Sequence, residues 1–256
     1  MSTTNAFVLQ QPFRHRIYSP TTPAISSPLT SITLKNNPLK HQQRQQMAAN
    51  SMSKSASVTM NPPPSSDVIG EILGDVSIFT ASGEPVLFKD LWDQKQGMAV
   101  VALLRHFGCP CSWELASALK ESKERFEAAG VRLIAVGVGT PDKAQMLAER
   151  LPFPMDSLYC DPDRKAYDVL GLYYGLGRTF FNPASVKVFT RFASLKQAVK
   201  NYTIKATPED RSGVLQQGGM FVFKGNELLY SRKDKGTGDH APLNEILDLC
   251  CTVTVA

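Results

Sequence analysis

The residues best suited to chemistry in this chain are cysteines, and two of them stand together in Cys109-Pro110-Cys111, followed by Ser112. Upstream lie Arg105-His106-Phe107-Gly108 and, before them, the apolar run Met98 to Leu104. Downstream, apolar residues recur at helical spacing from Ser112 to Ala128. The order reads as a buried strand, a tight turn carrying thiols, and a helix. A thiol at a helix N-terminus meets unpaired backbone N–H groups and the positive end of the macrodipole, which favour the thiolate, the nucleophilic form. Its pKa falls there from ~8.5 toward roughly 3.5–7.5. Cys109 is therefore the candidate nucleophile, expected ionised and accessible, with Arg105 and His106 near enough in sequence to add positive charge. The competing reading is a buried structural thiol at a strand end.

Cys111 has two open readings. It resolves an oxidised Cys109, or it packs. Residues two apart on a helix point away from one another. A Cys109–Cys111 disulfide would therefore need the turn to leave helical geometry, and would be strained and easily reduced. Cys160, before Asp161-Pro162, is read as a core thiol, with approach to the site from the next strand as the alternative. Cys250 and Cys251 are neighbours on the last expected helix, so they face different directions and one should be buried. Cys-x-Cys with a distant Cys-Cys lacks the paired spacing of a zinc site, and His106 and His240 stand in no ligand motif. Gly137-Val-Gly139 and Gly175-Leu-Gly177 read as turns and make no dinucleotide fingerprint. No metal or bound cofactor is expected. Tyr173 and Tyr174 read as core aromatics, the alternative being that they line a groove.

The elements that must position the thiols follow from pattern. Val76 to Phe79 alternates as a strand, Ser82-Gly83 marks a hairpin turn, and Glu84 to Phe88 returns. A helical turn at 89–92 packs Leu91 and Trp92 inward. Strand 98–104 is apolar on both faces, as expected of a strand covered on both sides. The helix after the cysteines turns Trp113, Leu115, Ala116, Leu119 and Phe126 to the core, and Glu114, Lys120, Glu121, Lys123, Glu124 and Glu127 to water. Gly130 closes it at C′. Val131 to Val138 is the next strand, Thr140 caps a helix with Pro141 at N1, and that helix runs to about Arg150. A short helix covers 164–170, and residues 171–212 read as an insertion beside the core with a possible helix at 183–200. A hairpin at 220–230 and a last helix at 242–251 close the chain. Strand, helix, strand, helix argues for an α/β sheet with right-handed crossovers.

Residues 1–66 differ from the rest. They contain no Asp or Glu, six Lys and Arg, and eighteen Ser and Thr, and they end on Pro62-Pro63-Pro64. That is the composition of an organellar transit peptide, the alternative being a disordered tail that stays on the chain. Sparse Arg and abundant Ser and Thr favour the chloroplast over the mitochondrion. The tail carries +6 of a whole-chain charge of +5, so the remainder is near neutral and the basic balance does not indicate a nucleic-acid surface. No run of ~18 apolar residues suggests a membrane helix. Five unevenly spaced cysteines, all after the tail, are no secreted disulfide framework.

With strand, thiol turn, crossover and closing hairpin in place, the order resembles a thioredoxin-like domain. More closely, residues 68–252 resemble the peroxiredoxin-like proteins that carry an AhpC/TSA antioxidant-enzyme domain. The resemblance lies in Leu104-Arg-His-Phe-Gly-Cys109, Asp161-Pro-Asp-Arg-Lys-Ala-Tyr167, Leu170-Gly171-Leu172, and the Gly219-to-Tyr230 hairpin followed by Gly236-Thr-Gly-Asp239. Together with the tail, the chain resembles a chloroplast thioredoxin-like member of that family. The resemblance implies an α/β, thioredoxin-like (peroxiredoxin-like) fold, with a central mixed sheet and flanking helices over 67–256, behind a disordered transit peptide at 1–66. It implies a thiol-dependent oxidoreductase of the chloroplast stroma in which the Cys109 thiolate attacks a peroxide or disulfide and Cys111 assists. An external dithiol such as thioredoxin would restore it. A non-catalytic redox sensor or protein-binding adaptor is the alternative, and an endoperoxide reductase using the same cysteines is a third. Two departures stand out. Where family members often carry Cys-x-x-Cys, this chain has Ser112 at the fourth position. The peroxidase signature Pro-x-x-x-Thr-x-x-Cys and the arginine before the late strand are also missing; Gln216 and Gln217 stand nearest to the latter.

Overall fold

The computed structural model describes residues 66–183 and 192–255. The expected leader therefore lies outside the described residues, Ser66 excepted, as do residues 184–191 of the possible helix at 183–200. Helix α1 (Ser66–Gly74) leads to the hairpin β1 (Ser77–Thr80) and β2 (Pro85–Leu87). β3 (Met98–His106), α2 (Pro110–Ala128), β4 (Val131–Val138), α3 (Pro141–Arg150) and β5 (Leu158–Cys160) form two successive crossovers. Short helices α4 (Lys165–Val169), α5 (Leu176–Phe180) and α6 (Phe192–Ala198) follow, then two 3-10 turns at Ile204–Ala206 and Arg211–Leu215. The hairpin β6 (Gly219–Lys224) and β7 (Glu227–Lys233) and the helix α7 (Leu243–Val255) finish the fold.

The strands make one mixed sheet in the order β2-β1-β5-β4-β3-β6-β7. β3 pairs parallel with β4, and β4 with β5, while β6 lies antiparallel to β3. This is the thioredoxin-like arrangement that the sequence pattern predicts. All nine residues of β3 are buried, because its period of two feeds two cores. Val100, Ala102 and Leu104 face α2, α3 and α7 through Trp113, Leu119, Leu147, Ile246 and Leu247. Ala99, Val101 and Leu103 face α1 and α4 through Leu73, Tyr167 and Leu170.

Local signals hold where they rest on backbone chemistry. Gly83 turns the first hairpin with φ +99°, and Gly130 follows the C-cap of α2 with φ +69°. Thr140 stands at the N-cap of α3 with Pro141 inside it, although its hydroxyl bonds the Asp142 carboxylate and no backbone N–H. The glycines of Gly137-Val-Gly139 divide. Gly139 turns with φ +144°, but Gly137 sits within β4, where a Cβ would come within 2.5 Å of the Phe107 ring. The bare strand is what lets Phe107 pack.

Candidate active site

β3 reaches two residues further than its apolar run, and α2 begins two residues earlier than Ser112. The thiol turn is therefore shorter than the sequence suggests. Near the end of β3 its register with β4 slips between Leu103 and His106. The buried Tyr167 hydroxyl sits at that slip, 2.6 Å from the Leu104 carbonyl and 3.0 Å from that of Val136. Beyond it, Arg105 and His106 are both buried although consecutive, as an irregular strand end allows. The turn itself is held by side chains. Trp113 Nε1 donates to the Phe107 carbonyl at 2.6 Å, and the Tyr202 hydroxyl donates to that of Gly108 at 2.7 Å. Trp113 and Tyr202 also meet edge to face at 5.4 Å. A Cβ on Gly108 would fall 2.0 Å from Thr207 Oγ1, so only glycine lets that loop approach.

Cys109 is the N-cap of α2, in extended conformation, with Pro110 in the first helical position. Its carbonyl accepts from Ser112 N at 2.9 Å and Trp113 N at 3.2 Å. Its sulfur lies 3.1 Å from Arg105 Nη1. The other two guanidinium nitrogens are spent on the backbone: Nε donates to the Gln216 carbonyl at 3.0 Å and Nη2 to that of Val214 at 2.7 Å. Arg105 is thus clamped, with Nη1 left for the thiol.

The Cys109 thiol is held well below the ordinary thiol range. The neighbouring Cys111 thiol contributes most, then the Arg105 guanidinium and the Ser112 backbone N–H, all against the cost of burial. Cys111 is pushed the opposite way by its hydrogen bond with Cys109, by burial and by the Cys109 and Glu114 charges. The pair is therefore driven in opposite directions, Cys109 toward the thiolate and Cys111 toward the protonated thiol, the separation that lets adjacent acids take different roles. Burial pushes the His106 ring down to about 4, so it is neutral at ordinary pH and Arg105 is the standing positive charge. The expectation that His106 adds charge is corrected on that ground.

Accessibility is corrected too. Cys109 is only 3% exposed and Cys111 5%, and the segment from Tyr202 to Gln216 folds over the Arg105-to-Cys109 side of the turn through Tyr202, Thr207, Val214 and Gln216. Glu114, expected on the wet face of α2, is buried, in a cavity wall it shares with Gln197, Ala198 and His240. The two tyrosines leave the core. Tyr174 is exposed under the Arg164 guanidinium at 5.2 Å, and the half-buried Tyr173 carries that of Arg178 at 4.1 Å. Cation–π contact with neighbouring arginines replaces apolar packing.

All five cysteines are thiols. Cys160 takes the core reading. Its sulfur lies 3.6 Å from the Phe79 and Thr80 carbonyls, and burial pushes the thiol up to about 12. Cys250 is buried and pushed up to about 11 by burial, while Cys251 is exposed. Among the described residues no group of three or more His, Cys, Asp or Glu is placed to hold a metal ion. Sequence reasoning missed the anchoring of Arg105 and the roles of Tyr167, Tyr202 and His240. The Asp161-to-Tyr167 block carried a signal for Tyr167, and nothing local marked the others.

A mixed sheet with a polarised thiol pair at the start of its central helix defines a thioredoxin-fold protein of the peroxiredoxin-like class. The chain matches the AhpC/TSA antioxidant enzyme family over residues 118–236, a segment that begins beyond both cysteines. It is 36% identical over 183 residues to the chloroplastic thioredoxin-like protein AAED1 of Arabidopsis thaliana, covering 70% of this chain and 71% of that one. It is 32% identical over 180 residues to the prostamide/prostaglandin F synthase of Sus scrofa, covering 66% and 81%. The chain belongs to the AhpC/TSA antioxidant-enzyme family. The crystal structure of peroxidoxin BcpB from Mycobacterium tuberculosis superposes with a TM-score of 0.49 at 14% identity, covering 71% of this chain and 95% of that one.

Proposed function

We propose that the protein is a thiol-dependent oxidoreductase that reduces a peroxide or a disulfide through Cys109. The observation that carries this reading is the contact of Arg105 Nη1 with the Cys109 sulfur at 3.1 Å, beside a Cys111 thiol whose pKa is driven the other way. With a peroxide, the Cys109 thiolate takes the distal oxygen, the O–O bond breaks, and the departing alkoxide gains a proton to leave as an alcohol, or as water from hydrogen peroxide. Cys109 is then a sulfenic acid. The Cys111 thiol attacks that sulfur, forms the disulfide and releases water. An external dithiol such as thioredoxin returns both sulfurs to thiols and is itself oxidised to a disulfide. The cycle passes two electrons from the dithiol to the peroxide and requires no bound cofactor.

The composition of residues 1–66, with the chloroplastic name of the Arabidopsis relative, supports plastid import ahead of a catalytic unit at 67–256. Residues 171–212 are the insertion within it. The same chemistry extends to an endoperoxide, the kind of substrate for which the prostaglandin-synthase relative is named. The test is turnover of a hydroperoxide with thioredoxin as reductant, abolished in Cys109→Ser. A second reading, a sensor that is oxidised once and signals to a protein partner, draws support from the 3% exposure of Cys109. Stoichiometric oxidation without turnover would favour the sensor.

A further inference from the structure

The carbonyl of Cys111 is held from outside its own helix. His240, in the loop between β7 and α7, brings Nε2 to 3.0 Å from it across 129 residues of sequence, and Nδ1 to 3.1 Å from Asp234 Oδ2. The two side chains are 5% and 2% exposed. A carbonyl oxygen only accepts, so Nε2 carries a hydrogen. Nδ1 and Asp234 then share a second proton, as imidazolium with carboxylate or as neutral ring with carboxylic acid. Asp239 and Arg232, themselves paired at 3.1 Å, stand beside Asp234, and Glu114 and Glu121 line the cavity that His240 borders.

Cys111 is the second residue of α2, so its carbonyl reports the geometry of the first helical turn. A Cys-x-Cys disulfide forms only if the backbone at Pro110 and Cys111 rotates out of that turn. The rotation carries the carbonyl away from Nε2. The His240 contact therefore exists in the dithiol state and is lost in the disulfide, and a contact made in one state alone shifts the equilibrium toward that state. We infer that His240, oriented by Asp234, is a positioning residue for the thiol pair: it holds the first turn of α2, keeps the Cys111 thiol against the Cys109 sulfur, and opposes the disulfide until the turn opens. This rests on the reading of Cys109 as nucleophile and Cys111 as its partner.

The test uses the full chain and three variants. His240→Phe keeps a ring and removes both nitrogens. His240→Gln keeps an N–H donor for the Cys111 carbonyl. Asp234→Asn removes the shared proton. Each protein is equilibrated with glutathione, so that protein dithiol and oxidised glutathione give protein disulfide and two reduced glutathiones. The Cys109–Cys111 disulfide is quantified by mass spectrometry. Separately, the alkylation rate of Cys109 in reduced protein is followed against pH. His240→Phe should favour the disulfide about tenfold, equivalent to ~30 mV for a two-electron couple. It should also slow Cys109 alkylation at pH 7 at least threefold by raising the pH midpoint. His240→Gln should stay within twofold of the wild type, and Asp234→Asn should fall between. Equal disulfide equilibria and equal alkylation midpoints in folded His240→Phe and wild type would overturn the inference. Should His240→Phe fail to fold, Asp234→Asn decides, and its coincidence with wild type in both measurements overturns it. If no protein forms the disulfide at any glutathione ratio while His240→Phe still shifts the alkylation midpoint, the positioning role stands and the resolving role of Cys111 falls.

Discussion

Arg105 and Cys109 lie four residues apart, with Nη1 3.1 Å from Sγ, and the arginine is immobilised by the Gln216 and Val214 carbonyls from the far side of the site. A guanidinium spreads its donors over a rigid fork, so two can be fixed to the backbone while a third serves the sulfur. Lysine offers a point charge on a flexible stem and cannot fill all three contacts. Arg105→Lys should therefore slow Cys109 alkylation at neutral pH about tenfold, with its pH midpoint moved upward. It should also lower stability by about 1–3 kcal/mol for each buried carbonyl left without a donor. Alkylation against pH and urea unfolding measure the two effects separately. An unmoved midpoint would show that the guanidinium does not sustain the thiolate.

Cys111 is the largest influence holding the Cys109 thiol below its ordinary range. Cys111→Ala should raise the Cys109 midpoint and leave peroxide-treated protein as a sulfenic acid that a dimedone probe traps. The wild type should instead lose two hydrogens within the peptide spanning both cysteines. The same two-hydrogen loss in Cys111→Ala would point to another partner for Cys109.

The fold and the place of Cys109 at a helix start were legible because each rests on local chemistry. The apolar run Met98–Leu104, the glycine at 130 and the Thr140-Pro141 start all act within a few residues of themselves, and the structure keeps all three. The helix boundary moved because Pro110 fits the first turn of a helix as well as it fits a loop. What surrounds the sulfur was not legible. Gln216 and Val214 reach Arg105 from 111 and 109 residues away and do so through backbone carbonyls, which no residue type announces. Glu114 has the polarity of a surface residue, yet it is buried beside a cavity it shares with residues 197–198 and 240, which are distant in sequence. Tyr173 and Tyr174 look apolar in a pattern, yet each carries an arginine guanidinium over its ring, and Tyr174 is exposed.

His106 predicts an acid sensitivity. The native ring titrates near 4 because burial opposes its charged form, with Arg105 opposing it further and Cys109 favouring it. The unfolded ring binds its proton near ~6.5. Between those values the unfolded chain holds more protons than the native one, so stability from this group falls as pH drops through the window and is level above and below it. The full loss is about 3 kcal/mol. Denaturant unfolding at pH 7, 5.5 and 4.5 should show this slope in the wild type and a shallower one in His106→Phe, where the carboxylates still titrate alike. Parallel slopes would mean that the ring titrates alike in the native and unfolded chain, and that burial does not oppose its charge.

Ser112 occupies the place where a Cys-x-x-Cys would put its second sulfur, and its hydroxyl is fully buried with no hydrogen-bond partner among the described residues. Replacing that hydroxyl by a thiol removes an unsatisfied polar group, so Ser112→Cys should cost little stability. The N-cap and the third helical residue face one another across the first turn, as side chains at those positions do in a capping box. In Ser112→Cys, a disulfide from Cys109 to the introduced thiol should therefore form without unwinding α2, unlike Cys109–Cys111. Peptide mapping of that variant after mild oxidation should find the bridge between positions 109 and 112, with Cys111 left alkylatable. The dithiol–disulfide equilibrium should move toward the disulfide at least tenfold. A bridge that stayed between 109 and 111 would mean that the first turn of α2 opens before the sulfurs meet, and that the geometry of the reduced helix does not choose the partner of Cys109.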